Sequence, residues 1–244
     1  MNFLCLGSLF LLCQLNLGLW ANYAVKLVGF LLFAAGIREL SELCRMQGDG
    51  GKKTVIEGFD LKRSMGELLT SYHGGEERYS GIRLAVLDKL CRAAVLCAGM
   101  CAAAGLCSAA VGFFGLKGII ANIAAIVLGT AAAVMALELF KLVLSFIEHN
   151  EKSPIRQTRF CEDISKVHRL KSVFTKVWVC TIVNLACDVL NRIVPFTSVQ
   201  SFFGFFAAIS KITLYVFVVM TVYNFNALRI DCNAKTDRDN NENN

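Results

Sequence analysis

The sequence predicts an all-α, multi-pass transmembrane helical bundle of about six helices arranged as three hairpins. Three observations carry this. The residues AVILMFWYC make up 55 % of the 244-residue chain and charged residues only 18 %, where a soluble domain carries about 25 % charged residues. The charges gather in three stretches, separated by apolar runs approaching the ~20 residues that cross a bilayer core. The only two prolines, Pro154 and Pro195, fall between apolar blocks. This composition excludes a disordered chain and a disulfide-stapled mini-protein.

Residues 1–37 form the first predicted unit, a transmembrane hairpin whose only charge is Lys26. Gln14, Asn16, Gly18 and Asn22 break it into two short helices, with Trp20 and Tyr23 placed for an interfacial aromatic belt. One spanning helix plus a surface helix is the alternative. A cleaved signal peptide fits less well, because no cation precedes the apolar run and no clean small-x-small site follows it.

Residues 38–92 form a charged loop with ten Lys/Arg and nine Asp/Glu. The glycines at 48, 50, 51, 74 and 75 are loop breaks. Between them Phe59, Leu61, Met65, Leu68 and Leu69 are spaced for one amphipathic helix face, suited to a membrane surface or a partner. Residues 93–149 form the second hairpin. Ala93 to Leu116 is 24 residues without a charge, and Lys117-Gly118 makes the turn. Ala94, Ala98, Ala102, Gly105 and Ala109 on one helix, and Ala121, Ala125, Gly129 and Ala133 on the other, predict close helix packing.

Residues 150–171 are a second charged connection. Residues 172–228 are the third hairpin, whose first helix is the most polar of the six and ends at Pro195. Residues 229–244 are polar and Asn-rich, the composition of a disordered tail.

The stretches 38–92, 149–176 and 229–244 hold 20 of the 25 Lys/Arg. With six helices all three lie on one side, whereas Lys117 and Arg192 lie on the other. The excess of cations marks the cytoplasmic side of a cell membrane, so both termini are expected there. The eleven cysteines include no Cys-x-x-Cys pair. Their odd count, with Cys44, Cys91 and Cys161 in charged stretches, suits a reducing compartment.

Ionisable groups inside a bilayer are functional candidates by default. Lys211, nine residues past Phe202, is placed near the midplane and needs an acid from another helix, Asp188 or Glu138. Asp188 and Arg192 are four apart and able to pair, with Asn184 on the same helix. Glu138 and Lys141, three apart, are expected as an ion pair at the cytoplasmic interface. These six residues are the candidate intramembrane polar site.

No nucleophile motif, metal-ligand cluster or phosphate-binding glycine loop is present in the sequence, so no enzyme and no cofactor is expected. Nucleic acid is not expected as a partner either, because acids nearly balance the bases in the longest basic stretch. The expected partners are the lipid bilayer, a cytoplasmic protein docking on residues 38–92, and a second copy meeting the small-residue faces. A small transporter-like or accessory component, a self-associating assembly protein and a lipid-modifying enzyme are the competing functions.

The run Leu27-Val28-Gly29-Phe30-Leu31-Leu32-Phe33-Ala34-Ala35-Gly36-Ile37-Arg38-Glu39-Leu40, preceded by Leu15-Asn16-Leu17, resembles a recurrent N-terminal hairpin of uncharacterised multi-pass membrane proteins of clostridia and related bacteria. It departs from that pattern at Val25-Lys26-Leu27, where Pro-Asp-Phe is common. The resemblance covers about 40 residues. It implies a bacterial plasma membrane and brings no activity.

Overall fold

A computed structural model describes residues 2–12, 19–47, 76–114, 119–151, 160, 163–193 and 197–242. Six helices account for nearly all of them, and no strand occurs among the described residues: α1 (Asn2–Leu12), α2 (Leu19–Gln47), α3 (Glu76–Phe114), α4 (Ile119–Glu151), α5 (Ile164–Ile193) and α6 (Thr197–Glu242). Consecutive helices pack as three hairpins, α1–α2, α3–α4 and α5–α6, and the most extensive interface of all joins α2 to α3. The amphipathic helix expected over 56–72 and the turns at 115–118 and 194–196 lie outside the described residues.

Among the described residues, three stretches are long and apolar enough to cross a membrane: Gly81–Ala110, Val127–Glu151 and Gly204–Lys235. They place the protein in a membrane. The outer surface agrees. Leu106, Ile212, Val219 and Tyr223 are 67–75 % exposed, whereas a water-facing surface does not tolerate so continuous an apolar face.

The helices run further than the apolar blocks. α2 continues past Arg38 to Gln47, and α3 begins at Glu76, so the ends of the charged 38–92 stretch are helix. The 39 residues of α3 span about 58 Å at 1.5 Å per residue, against ~30 Å of bilayer core. Extending a formed helix adds one hydrogen bond per residue without a new nucleus, so a charge does not end it. The tail corrects the expectation of disorder in the same way. α6 runs unbroken to Glu242, and Leu228, Cys232 and Lys235 are buried. The described part of α1, 11 residues, reaches about 16 Å, against the ~30 Å of the core.

Phe140 on α4 joins four helices. Its ring lies 5.9 Å from Phe33 on α2, 4.4 Å from Phe174 on α5 and 6.1 Å from Phe225 on α6, centroid to centroid. All four rings are buried. Hydroxyls and amides on the apolar helices satisfy themselves one turn back. Thr181 donates to the Val177 carbonyl at 2.8 Å, Thr221 to Phe217 at 2.8 Å and Asn224 to Met220 at 2.7 Å, a bond that spares the polar group an unpaired place in lipid.

The tightest backbone approach falls in the first hairpin. A Cβ on Gly36 would lie 2.6 Å from the Leu4 Cα, and one on Gly7 would lie 2.5 Å from the Phe33 nitrogen. Only glycine fits there. In the small-residue hairpin α3–α4 the expected bare contact is modified. The side chain of Tyr23 from α2 fills the place, its Cβ 3.3 Å from where a Gly105 Cβ would stand and its ring tip 2.6 Å from a Gly129 Cβ. Tyr23 is therefore a packing residue rather than a belt residue.

Candidate functional site

Four of the six residues singled out in sequence have described side chains, and these differ in placement. Lys211 and Lys141 are exposed, Glu138 is half-buried and Asn184 is buried. The side chains of Asp188 and Arg192 lie outside the described residues. Glu138 and Lys141 form no ion pair with each other. They are three apart, yet one faces the bundle seam and the other the outside. Lys211 is the fifteenth residue of α6, because that helix starts at Thr197 rather than Phe202. Its neighbour Ser210 is the residue that faces the bundle, donating to the Cys180 carbonyl of α5 at 3.2 Å. A cation inside the apolar zone is found elsewhere, at half-buried Lys26, which lies within electrostatic reach of Cys101 on α3.

A polar interior lies at the charged end, where contacts pass from α2 to α3, α4, α5 and α6 in turn. Arg83 on α3 is 1 % exposed. Its Nη2 donates to the Cys44 sulfur of α2 at 3.2 Å, and its guanidinium carbon sits 5.5 Å from the centroid of the Phe160 ring. The backbone N–H of Phe160 donates to Glu151 Oε1 at 2.7 Å. Glu151 and its neighbour Asn150, which close α4, are themselves buried. Phe160 thus ties a buried arginine to a buried glutamate, and its ring also packs 6.3 Å from Phe146. Burial pushes the Cys44 thiol up to about 11, against the lowering effect of the Arg83 charge and hydrogen bond.

Around this centre lies a shell of ion pairs. Glu148 on α4 holds Lys171 and stands 3.7 Å from His168, both on α5. Asp231 on α6 accepts from Lys166 at 2.7 Å and from the backbone N–H of Asp163 at 3.3 Å. Asp163 caps α5, its Oδ1 accepting from the Ser165 N–H at 2.9 Å, the usual service of an N-cap aspartate. The Ser165 side chain first, and then this backbone hydrogen bond, hold the Asp163 carboxyl below its ordinary value, with Lys166 and Arg169 assisting.

The chemistry of this end is that of a lock. Charges on three helices, α4, α5 and α6, pair across helix boundaries, and each pair ties two neighbouring helices together. No group of three His, Cys, Asp or Glu is placed to hold a metal ion among the described residues. Cys232, buried on α6, is disulfide-bonded, which departs from the expectation of reduced cysteines on the cation-rich side. Sequence reasoning placed Arg83 in a loop and missed it. The missed signal is its phase: Arg83 falls in the stripe that continues through Leu87, Leu90, Ala94, Cys97 and Cys101, all buried.

Comparison with known protein families, with curated proteins and with solved structures yields no match.

Proposed function

We propose that this protein is a non-catalytic, multi-pass integral membrane component that serves in an accessory role. The observation that carries the proposal is the division of its surface. The bundle turns apolar side chains outward along its length, while at one end ion pairs tie α4, α5 and α6 and a buried arginine ties α3 to α2. A carrier needs polar groups along a path through the membrane. The exposed positions of Lys211 and Lys141 give no such path among the described residues, which favours the accessory role over transport. The charged 38–92 segment, both ends of which are helical, is the part available to a partner protein.

A cytoplasmic position for the cation-rich side is supported by the asymmetry of Lys and Arg, and a bacterial plasma membrane by the resemblance of the 27–40 run. A second orientation, with this side in an oxidising compartment, is favoured by the Cys232 disulfide. Self-association is the second functional reading. It is favoured by Gly99 and Gly204, beside which a Cβ would meet open space, so small-residue surface is left uncovered on α3 and α6.

Reconstitution into liposomes tests the accessory role. The expected result is solute and ion permeability equal to that of protein-free vesicles. Saturable flux that is lost in Asn184→Leu would overturn the proposal and restore the transport reading.

A further inference from the structure

The membrane-facing groove between α2 and α3 contains a feature that the lock does not use. The two helices run antiparallel, in a register fixed by Cys91 donating to the Ala34 carbonyl at 3.7 Å and by the Arg83–Cys44 bond. In that register Arg38 of α2 stands level with Asp88 of α3, and Arg92 lies one turn further toward the apolar zone. Arg38, Ser41 and Arg45 share one face of α2 by their spacing. They line, with Asp88, Arg92, Val95 and Leu96 of α3, a groove of about 840 Å³. This is the size range of small-molecule pockets.

We propose that this groove binds an anionic glycerophospholipid, with its phosphate between Arg38 and Arg92 and an acyl chain along Val95 and Leu96. The inference rests on the membrane reading. Charge is the first argument. Three arginines face one aspartate in the groove, an excess of two positive charges. Arg92 spends one arm on Asp88, at 2.8 Å, and its guanidinium keeps further donors, which match a phosphodiester in planar geometry.

Depth is the second argument, and it selects a lipid over a soluble anion. Arg92 is the last charge before the uncharged run that opens at Ala93, and Arg38 is the first charge after the apolar run that ends at Ile37. The two therefore mark the edge of the hydrocarbon on adjacent helices, where phosphates lie. The groove does not end there. It opens onto Val95 and Leu96, 48 % and 59 % exposed, on the lipid-facing side of α3. A free anion has no use for that apolar continuation, whereas a lipid tail fills it.

The test uses the full chain in phosphatidylcholine nanodiscs, with phosphatidylglycerol added in increasing proportion. Thermal stability and native mass spectrometry are the readouts. Phosphatidylglycerol is expected to raise Tm and to remain bound in the gas phase, with inorganic phosphate having no effect. Arg38→Gln/Arg92→Gln is expected to weaken phosphatidylglycerol binding about tenfold, which is about 1.4 kcal/mol. Both side chains are exposed, so the variant should keep the wild-type Tm in pure phosphatidylcholine. Arg38→Lys/Arg92→Lys, which keeps charge but not the planar fork, should fall between the two. Equal binding of both lipids, or an unchanged response in the glutamine variant, overturns the site. The same Tm rise with inorganic phosphate would make it a soluble-anion site and overturn the lipid. Failure of the wild type to enter nanodiscs would instead contradict the membrane reading itself.

Discussion

Gly36→Ala is the sharpest single test of the packing. The added methyl would stand 2.6 Å from the Leu4 Cα and closer still to the Leu4 nitrogen. Both neighbours are helix backbone, so no side chain can rotate away. Restoring ordinary contact requires α1 to retreat by about 1 Å, and a gap of that size forfeits a quarter to a half of each dispersion well along the interface. Leu4 and Phe33, both fully buried, would share that loss. Overpacking of this kind costs about 1–3 kcal/mol, and α1 cannot escape the contact without uncovering Leu4. The gain in helix propensity from Gly to Ala works the other way, by at most about 1 kcal/mol. The net expectation is destabilisation of about 1–2 kcal/mol, a fall in Tm of roughly 2–8 °C for a chain of this size. Gly99→Ala supplies the control, because its Cβ meets nothing within 4 Å. There only the propensity gain remains and Tm should hold or rise. The assay is thermal unfolding of both variants in the same detergent. A Gly36→Ala protein as stable as wild type would refute the close docking of α1 on α2.

Three further outcomes are expected. Phe140→Ala should destabilise the protein by about 3–5 kcal/mol, the range for a buried phenylalanine, because one cavity would open against four helices; a loss under 1 kcal/mol by denaturant titration would contradict the shared ring cluster. At pH 8 Cys44 should react with maleimide about 100-fold more slowly than an ordinary thiol, since a pKa of about 11 leaves that much less thiolate; Arg83→Leu removes the charge and hydrogen bond that lower this thiol, so labelling should be slower still, and equal rates in both proteins would count against the Arg83–Cys44 contact. Stability from the Asp163 cap should be complete above the ordinary aspartate value of 3.8 and be lost as pH falls below it, because a carboxyl depressed in the folded state is protonated first in the unfolded one. Protection of the Ser165 amide, measured against its intrinsic exchange rate at each pH, should therefore fall below pH 4 in the wild type but change little in Asp163→Ala.

Much of the helical layout was legible from charge spacing. Uncharged runs such as 93–116 must be helical if they enter a bilayer, because no other single segment satisfies its own backbone there. The ends of the helices were not legible in the same way. Arg38 and Glu76 look like loop residues in a linear reading, yet helix continues through them because elongation is cheap once the span is formed. Burial was harder still. Arg83 and Glu151 read as surface charges until Phe160, eight residues and more from either in sequence, is folded between them. Lys211 shows what depth alone leaves open. Depth along a helix was estimated from the sequence, but which way a side chain points depends on the neighbouring helix, and Ser210 rather than Lys211 faces α5. The glycine contacts of Gly7 and Gly36 were missed because spacing within one helix does not reveal which partner backbone comes near.

The membrane-embedded bundle is tested most directly by spin labels at two adjacent positions of α6. Val218 is 2 % exposed and Val219 is 68 % exposed, so a label at Val219→Cys samples the surroundings and one at Val218→Cys the interior. In liposomes the label at 219 should collide readily with oxygen, which concentrates in lipid, and rarely with a water-soluble nickel complex. The label at 218 should meet neither. Frequent collision of the 219 label with the nickel complex would place that face in water and contradict the membrane-embedded bundle.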